Sequence, residues 1–321
     1  MYPKIKPFNS FFLKTKDNNH SIYVEECGNR NGVPIVYLHG GPGGSIGPQN
    51  RSYFNPRKYR IILFDQRGSG RSKPRGSLIN NTTNHLIKDM EQIRKMLKIK
   101  QWIIMGGSWG STLGLIYTIN NPNKVLGMVL RGVFLGTKNE ADWAFHYSAD
   151  YFYPELIDII KKKIRKKEEK VFLELGKMLT SKNKKKINFA AQIWEKYERT
   201  LSILTPKTIK KEMFNKIKLI KILPNSPFLE WYYTKNNFFL KNNEIIKNLK
   251  RIKKIPTIII QGRYDLICPP KSAYLIAKHM SNCEIKIIEK CGHSTSEKDL
   301  RTNLLKAIDK IYTKISYKKR K

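Results

Sequence analysis

Short apolar runs alternate with helix-like segments in the first half of this 321-residue chain. Each run is rich in β-branched residues and ends in polar residues or glycine, and the segments between the runs repeat their apolar residues at helical spacing. Such alternation predicts a mostly parallel sheet with helices on both faces. The four runs are "VPIVYLHGG", "YRIILFDQRGSG", "QWIIMGG" and "KVLGMVLRGVF".

The pattern changes near Gly136. From about 137 to 250 the sequence is helix-like, aromatic and rich in lysine, without clear strands. Strand signals return in "KKIPTIIIQG" and "CEIKIIEK", and the chain closes with another helical pattern. We therefore predict an α/β core formed by residues 1–136 and 251–321, with a helical cap, residues 137–250, inserted between its two parts.

The net charge of +37 is extreme, with 62 lysines and arginines against 25 acids. One interpretation is a polyanionic partner such as nucleic acid or an acidic membrane. The lysines, however, are scattered among asparagines and isoleucines throughout the chain, and no recognition-helix or zinc-finger signature accompanies them. We favour a sequence-wide drift in composition and expect no specific nucleic-acid partner.

The cysteines and the apolar runs bear on location. None of the four cysteines forms a C-x-x-C pair, and no secretory apolar region follows the start of the chain. We therefore expect free thiols and a cytoplasmic protein. No apolar run reaches the about 18 residues that a membrane-spanning helix needs, so we expect no membrane partner.

The stretch "MGGSWGSTLG" has two interpretations, a turn that packs chain segments closely or a nucleophile elbow that exposes Ser108. A predicted strand precedes it and a predicted helix follows it. Gly106 and Gly110 stand two residues on either side of Ser108, where a sharp strand-to-helix turn needs small residues. The N-terminus of the following helix would favour developing negative charge. These flanks favour the elbow.

A serine hydroxyl is a weak nucleophile and needs a base that a carboxylate orients. In α/β hydrolases the order along the chain is serine, acid, histidine. Asp265 comes just beyond one predicted strand and His293 just beyond the next, so both lie at the carboxyl edge of the sheet, where sites form. His39 is a rival base, but we expect it to support its own loop.

A tetrahedral intermediate also needs an oxyanion hole. One donor is the backbone N–H of the residue after the nucleophile, which is Trp109 here. The second donor comes from the loop after an early strand. The sequence "YLHGGPGG" supplies that loop, and we predict Gly41 as the donor.

Six motifs together resemble the prolyl iminopeptidases, serine peptidases of the α/β-hydrolase fold. That family removes an N-terminal proline from peptides and uses no metal or cofactor. The resemblance implies peptide substrates, and it implies Ser108 as nucleophile, Asp265 as acid and His293 as base. The motifs are "HGGPGG", "LFDQRGSGRS", "GGSWGSTL", "LRGVF", "GRYDLICP" and "GHST".

The resemblance continues into the predicted cap. "WEKYERTLSILTP" implies that Glu198 binds the free amino terminus of the substrate, and "EWYYT" implies the same role for Glu230. By the same resemblance, Phe134 lines the proline pocket and Cys268 lies near it. An ion pair on a helix surface is the alternative interpretation of both glutamates in so basic a chain.

Two cap positions depart from the family's pattern. Tyr197 stands at the second tryptophan of the cap motif, and Thr234 stands where an aromatic wall residue is expected. A broader-specificity aminopeptidase or an esterase of the same fold is therefore an alternative function. A catalytically silent, basic binding protein is a third. An epoxide hydrolase is disfavoured, because that chemistry needs a carboxylate where Ser108 stands.

Overall fold

The computed structural model describes residues 1–164, 171–206 and 219–318. Within these ranges the strands form a single eight-stranded sheet. The strands are β1 (Asn9–Lys14), β2 (Ser21–Gly28), β3 (Val33–Leu38), β4 (Tyr59–Phe64), β5 (Trp102–Ser108), β6 (Val125–Val133), β7 (Thr257–Gly262) and β8 (Cys283–Ile288).

The strand order is β1-β2-β4-β3-β5-β6-β7-β8. β1 pairs antiparallel with β2, and β2 pairs antiparallel with β4. All pairs from β4 to β8 are parallel. The parallel strands bring the loops that follow β3, β5, β7 and β8 to one edge of the sheet, as the sequence predicted.

Helices cover both faces of the sheet and bury the apolar strands between them. Three of them, α2 (Thr83–Met96), α3 (Trp109–Asn120) and α11 (Pro270–His279), pack on one face, and α12 (Lys298–Lys318) packs on the other. α2 begins after Thr82, whose side chain accepts a hydrogen bond from the backbone N–H of His85. The core helices are α1 (Pro48–Arg51), α2 (Thr83–Met96), α3 (Trp109–Asn120), α11 (Pro270–His279) and α12 (Lys298–Lys318).

Between β6 and β7 the described residues form helices and loops, and no strand. This agrees with the helical sequence pattern, although residues 165–170 of one predicted helix lie outside the described ranges. The division of the chain at residues 137 and 250 stays a prediction. The helices are α4 (Lys138–Asp142), a π-helical turn (Trp143–Tyr147), α5 (Ser148–Phe152), α6 (Pro154–Ile164), α7 (Val171–Leu179), α8 (Lys184–Leu201), α9 (Ser226–Lys235) and α10 (Glu244–Asn248).

Two strands, β1 and β2, were not predicted from the sequence. β1 is an edge strand with most of its side chains exposed or half-buried, and Phe12 is 50% exposed. An edge strand of this kind lacks the apolar run or the strict alternation that marks a buried strand.

Among the described helices, none is both long and apolar enough to cross a membrane.

Candidate active site

Ser108 lies at a sharp turn between β5 and α3. Its backbone φ of 56° and ψ of −129° place a non-glycine residue in a strained region. A Cβ atom on Gly106 would lie 2.2 Å from the carbonyl oxygen of Gly110, and one on Gly110 would lie 2.1 Å from that of Leu38. Only glycine fits at these two positions, so the turn has the crowding predicted for a nucleophile elbow.

Asp265 and His293 meet at the same edge of the sheet. The Oδ2 atom of Asp265 accepts a hydrogen bond from Nδ1 of His293 at 2.7 Å. Its Oδ1 atom accepts from the backbone N–H groups of Ile267 at 3.0 Å and Cys268 at 2.7 Å. Because an ionised carboxylate only accepts, Nδ1 carries the ring proton, and Nε2 keeps the lone pair that a base needs.

Arg131 is a site residue that the sequence analysis missed, although it stands in the quoted motif "LRGVF". Its Nη1 atom lies 2.9 Å from Nε2 of His293 and donates to the carbonyl oxygen of the same residue, also at 2.9 Å. Cys268 lines the same cavity as Ser108, and burial raises the pKa of its thiol well above the ordinary value. The structure thus joins Asp265 to His293 directly, whereas Nε2 of His293 contacts Arg131. Proton transfer from Ser108 to His293 stays a prediction.

Gly132 gives the His293 ring its space. Its φ of +53° favours glycine, and a Cβ atom there would lie 2.9 Å from Cε1 of His293 and 3.2 Å from Oδ2 of Asp265. The glycine of "LRGVF" therefore allows the chain to pass directly beside the acid and the histidine. Sequence alone marked this residue only as part of a motif.

The two predicted oxyanion donors are both near Ser108. Trp109 is the first residue of α3, and N–H groups in the first turn of a helix have no acceptor within the helix. Gly41 lines the same cavity as Ser108. The neighbouring Gly40 approaches the serine so closely that a Cβ atom on it would lie 3.3 Å from that of Ser108.

His39 uses both of its ring nitrogens within its own surroundings. Nε2 accepts a hydrogen bond from the backbone N–H of Gln66 at 3.0 Å, so Nδ1 carries the proton and donates to the carbonyl oxygen of Gly40 at 2.9 Å. Burial lowers the pKa of His39 and keeps the ring neutral. With its lone pair already used, His39 supports the loop, and it is not placed to act as a base.

A small cavity of about 20 Å³ adjoins Ser108. Twelve residues line it, six that were predicted for the site and six others. The predicted residues are Ser108, Gly41, Phe134, Glu198, Glu230 and Cys268. The others are Pro42, Ala144, Phe145, Thr234, Phe238 and Ile267.

Phe238 had no local signal in the sequence. It lies between α9 and α10 and contacts the rings of Trp109 and Phe134, 129 and 104 residues earlier in the chain, at centroid distances of 6.0 and 4.9 Å. Thr234, noted as a departure from the family's pattern, does line the cavity. The aromatic side chain of Phe238, four residues after Thr234, thus contributes to the wall.

Glu198 on α8 and Glu230 on α9 both line this cavity. Trp194 donates a hydrogen bond from Nε1 to Oε2 of Glu230 at 2.6 Å. Burial raises the pKa of Glu198 from its ordinary value of 4.5 to about 7. Burial, followed by the negative charge of Glu198, raises the pKa of Glu230 well above its ordinary range.

The surface ion pair considered for these glutamates does not fit the structure. Glu230 is 2% exposed and Glu198 is only partly exposed. Within the described parts of the chain no lysine or arginine pairs with either carboxyl, although the chain carries 62 of these residues. Two acids held together without a cation form a site that favours a positively charged ligand.

Comparison with known proteins identifies the family. The model of the alpha/beta hydrolase fold family matches residues 33–300. The proline iminopeptidase of Arabidopsis thaliana is 38% identical over 321 residues, which cover 97% of this chain and 82% of that protein. A probable proline iminopeptidase of Leptolyngbya boryana is also 38% identical, over 97% of this chain and 96% of its own length. This chain belongs to the proline iminopeptidase family.

The fold of this family member is also similar to that of solved structures. A proline iminopeptidase-related protein from Thermus thermophilus superposes with a TM-score of 0.65 at 17% identity, covering 96% of this chain and 99% of the other. At so low an identity the likeness concerns the fold alone. Together with the family match, it confirms the predicted α/β-hydrolase fold.

Proposed function

We propose that this proline iminopeptidase family member is a serine exopeptidase that releases the N-terminal proline of peptides. One observation carries the proposal: Ser108 shares a small cavity with two carboxyl groups that have no basic partner among the described residues. A peptide with N-terminal proline has a secondary ammonium next to its first carbonyl. A buried acid pair beside a nucleophile is suited to hold that ammonium.

In the proposed first step His293, oriented by Asp265, takes the proton of Ser108 through Nε2. The Arg131 contact at Nε2 has to break first, because a guanidinium only donates and the single lone pair is needed for the serine proton. Ser108 Oγ then attacks the carbonyl carbon of the N-terminal residue. The N–H groups of Gly41 and Trp109 stabilise the oxyanion that forms.

The second half of the reaction uses the same groups. His293 gives its proton to the leaving amine, and the carbonyl–nitrogen bond breaks to leave a prolyl ester on Ser108. A water, deprotonated by His293, attacks this ester; the bond to Ser108 Oγ then breaks, His293 returns the proton to Ser108, and proline is released. The scheme needs only side chains and backbone groups of this chain together with one water.

We further propose that residues 137–250 act as a cap that determines which substrates enter. Glu198 and Glu230 come from two helices of this segment and would bind the ammonium. The apolar rings of Phe134 and Phe238, 4.9 Å apart, would contact the pyrrolidine ring. The two carboxyl groups line the cavity beside Ser108, so the ammonium they hold would be the chain end next to the scissile carbonyl, which accounts for removal of a single N-terminal residue.

Substrate series separate this function from its alternatives. We expect chromogenic amides of proline to be cleaved faster than those of alanine or leucine, and faster than the cyclopentanecarbonyl amide, which keeps the ring but lacks the amine. Glu198→Gln should reduce the preference for proline over cyclopentanecarbonyl by about 10- to 150-fold, the equivalent of one charge-assisted hydrogen bond. An unchanged preference would remove Glu198 from amine recognition.

The two remaining alternatives have their own signatures. An esterase of this fold would hydrolyse a simple acyl ester much faster than any N-terminal amide. A catalytically silent binding protein would leave Ser108 unlabelled by a fluorophosphonate probe.

For location we propose the cytoplasm, and the free thiols of Cys27, Cys268, Cys283 and Cys291 support this.

A further inference from the structure

Gln66, in the loop directly after β4, is almost completely buried, with 2% of its surface exposed. Its side chain makes two hydrogen bonds in opposite directions. Nε2 donates to the carbonyl oxygen of His39 at 2.9 Å, and Oε1 accepts from Nε1 of Trp109 at 2.9 Å. The backbone N–H of Gln66 also donates to Nε2 of His39 at 3.0 Å.

These bonds join two segments that are separate in the sequence. His39 begins the glycine-rich loop after β3, two residues before Gly41. Trp109 begins α3, directly after Ser108. Both N–H groups of the proposed oxyanion hole therefore belong to segments that Gln66 ties together, beyond the point where the pairing of β3 with β5 ends.

The connection requires a carboxamide. The carbonyl oxygen of His39 needs a donor, and the indole N–H of Trp109 needs an acceptor. A glutamate offers only acceptors when ionised, and a methionine of similar length offers no comparable group. Since buried polar groups without partners cost free energy, each half of the connection holds its segment in place.

The Trp109 ring is fixed on its other sides as well. It packs against Tyr233 at a centroid distance of 4.9 Å and stacks on Phe238 at 6.0 Å. Its hydrogen bond to Gln66 then determines how the start of α3 sits relative to the His39 loop. A rigid indole with one polar contact is suited to this positioning role.

We propose that Gln66 is a positioning residue that sets the separation of the two oxyanion donors, the N–H groups of Gly41 and Trp109. The inference rests on the proposed serine peptidase function. Its effect belongs to the transition state, because only there does the substrate oxygen carry the charge that both N–H groups stabilise.

The test compares ligands that use the oxyanion hole with one that does not. Boroproline forms a tetrahedral adduct on the serine, whereas free proline binds as the product. In Gln66→Met we expect kcat for a proline amide and the affinity for boroproline to fall together, by about 10- to 100-fold. KM and inhibition by free proline should change less than about 3-fold.

Two further variants keep the test independent of folding. Trp109→Phe removes the indole N–H together with the five-membered ring and keeps the backbone donor, and we expect the same selective loss of boroproline affinity. Tyr59→Phe is the matched control, because it removes one buried hydrogen bond, 2.6 Å long, to the carbonyl oxygen of Ile308 on the opposite face of the sheet. It should lower the unfolding temperature without changing the ratio of boroproline to proline affinity.

The outcomes separate this inference from the proposed function. If the wild type binds boroproline and both Gln66→Met and Trp109→Phe bind it equally well, the positioning role is wrong. Equal losses of boroproline and proline affinity also overturn it, because they indicate general damage to the site. If the wild type neither binds boroproline nor cleaves proline amides, the proposed function itself fails and the inference with it.

Discussion

Replacing Glu198 by glutamine should stabilise the folded protein above neutral pH while it impairs catalysis. The pKa of this carboxyl rises from 4.5 to about 7 on folding, with burial as the main cause. At 1.36 kcal/mol for each pKa unit, keeping the group ionised in the folded state costs about 3 kcal/mol. Glutamine occupies the same space without the charge and so removes this cost.

The sign of the pH dependence follows from proton binding. Between pH 4.5 and about 7 the folded chain retains a proton on Glu198 that the unfolded chain has lost. The contribution of this group to stability therefore falls as the pH rises through that window, and the full cost is present above it. We expect Glu198→Gln to be more stable than the wild type by up to about 3 kcal/mol at pH 8 and nearly equal to it at pH 4.5.

Urea unfolding at pH 4.5, 6 and 8 measures this difference, with the slope of the transition as a check that the mutation leaves the unfolded state unchanged. Glu284→Gln is the matched control, because Lys310 and Lys314 bind that exposed carboxyl and lower its pKa. Loss of the Glu284 charge should destabilise the protein by less than about 1 kcal/mol at pH 8. A Glu198→Gln protein no more stable than the wild type at pH 8 would refute the reasoning.

Three other predictions concern the site. Gly132→Ala places a Cβ atom 2.9 Å from Cε1 of His293, so kcat should fall by about 100-fold with a smaller change in KM, as steady-state kinetics would show. Trp194→Phe removes the hydrogen bond that lowers the pKa of Glu230, so KM for proline amides should rise at pH 7 and recover partly at pH 9. Burial raises the pKa of Glu198 to about 7, so this carboxyl ionises between pH 5 and pH 8. The ratio of kcat/KM for proline amides to that for cyclopentanecarbonyl amides should therefore increase over this range in the wild type, and a flat ratio would contradict this.

The elements with strong local patterns were predictable from the sequence. The runs that became β3 to β6 are apolar and end in glycine or polar residues, and Ser108 has glycines two residues away on both sides. Asp265 and His293 follow predicted strands, so their meeting at one edge of the sheet required only the rule for parallel strands. These positions depend on short stretches of chain and on a regular fold.

The remaining features depend on contacts between distant segments. Arg131 stood in a recognised motif, yet its contact with His293, 162 residues further along the chain, has no local signature. The same holds for Phe238, which lines the cavity from a short irregular segment, and for Gln66, whose partners lie on two other loops. The β1 strand was missed for a different reason, because an exposed edge strand carries little apolar pattern.

The central claim is that Ser108 forms the prolyl ester through which an N-terminal proline leaves. The most direct measurement is kcat/KM on a proline amide for the wild type and for Ser108→Ala, prepared in parallel and shown to unfold at similar temperatures. We predict that the substitution lowers the rate by about 10⁴-fold or more, as loss of a triad member does in serine proteases. A Ser108→Ala protein that releases proline at the wild-type rate would contradict the account.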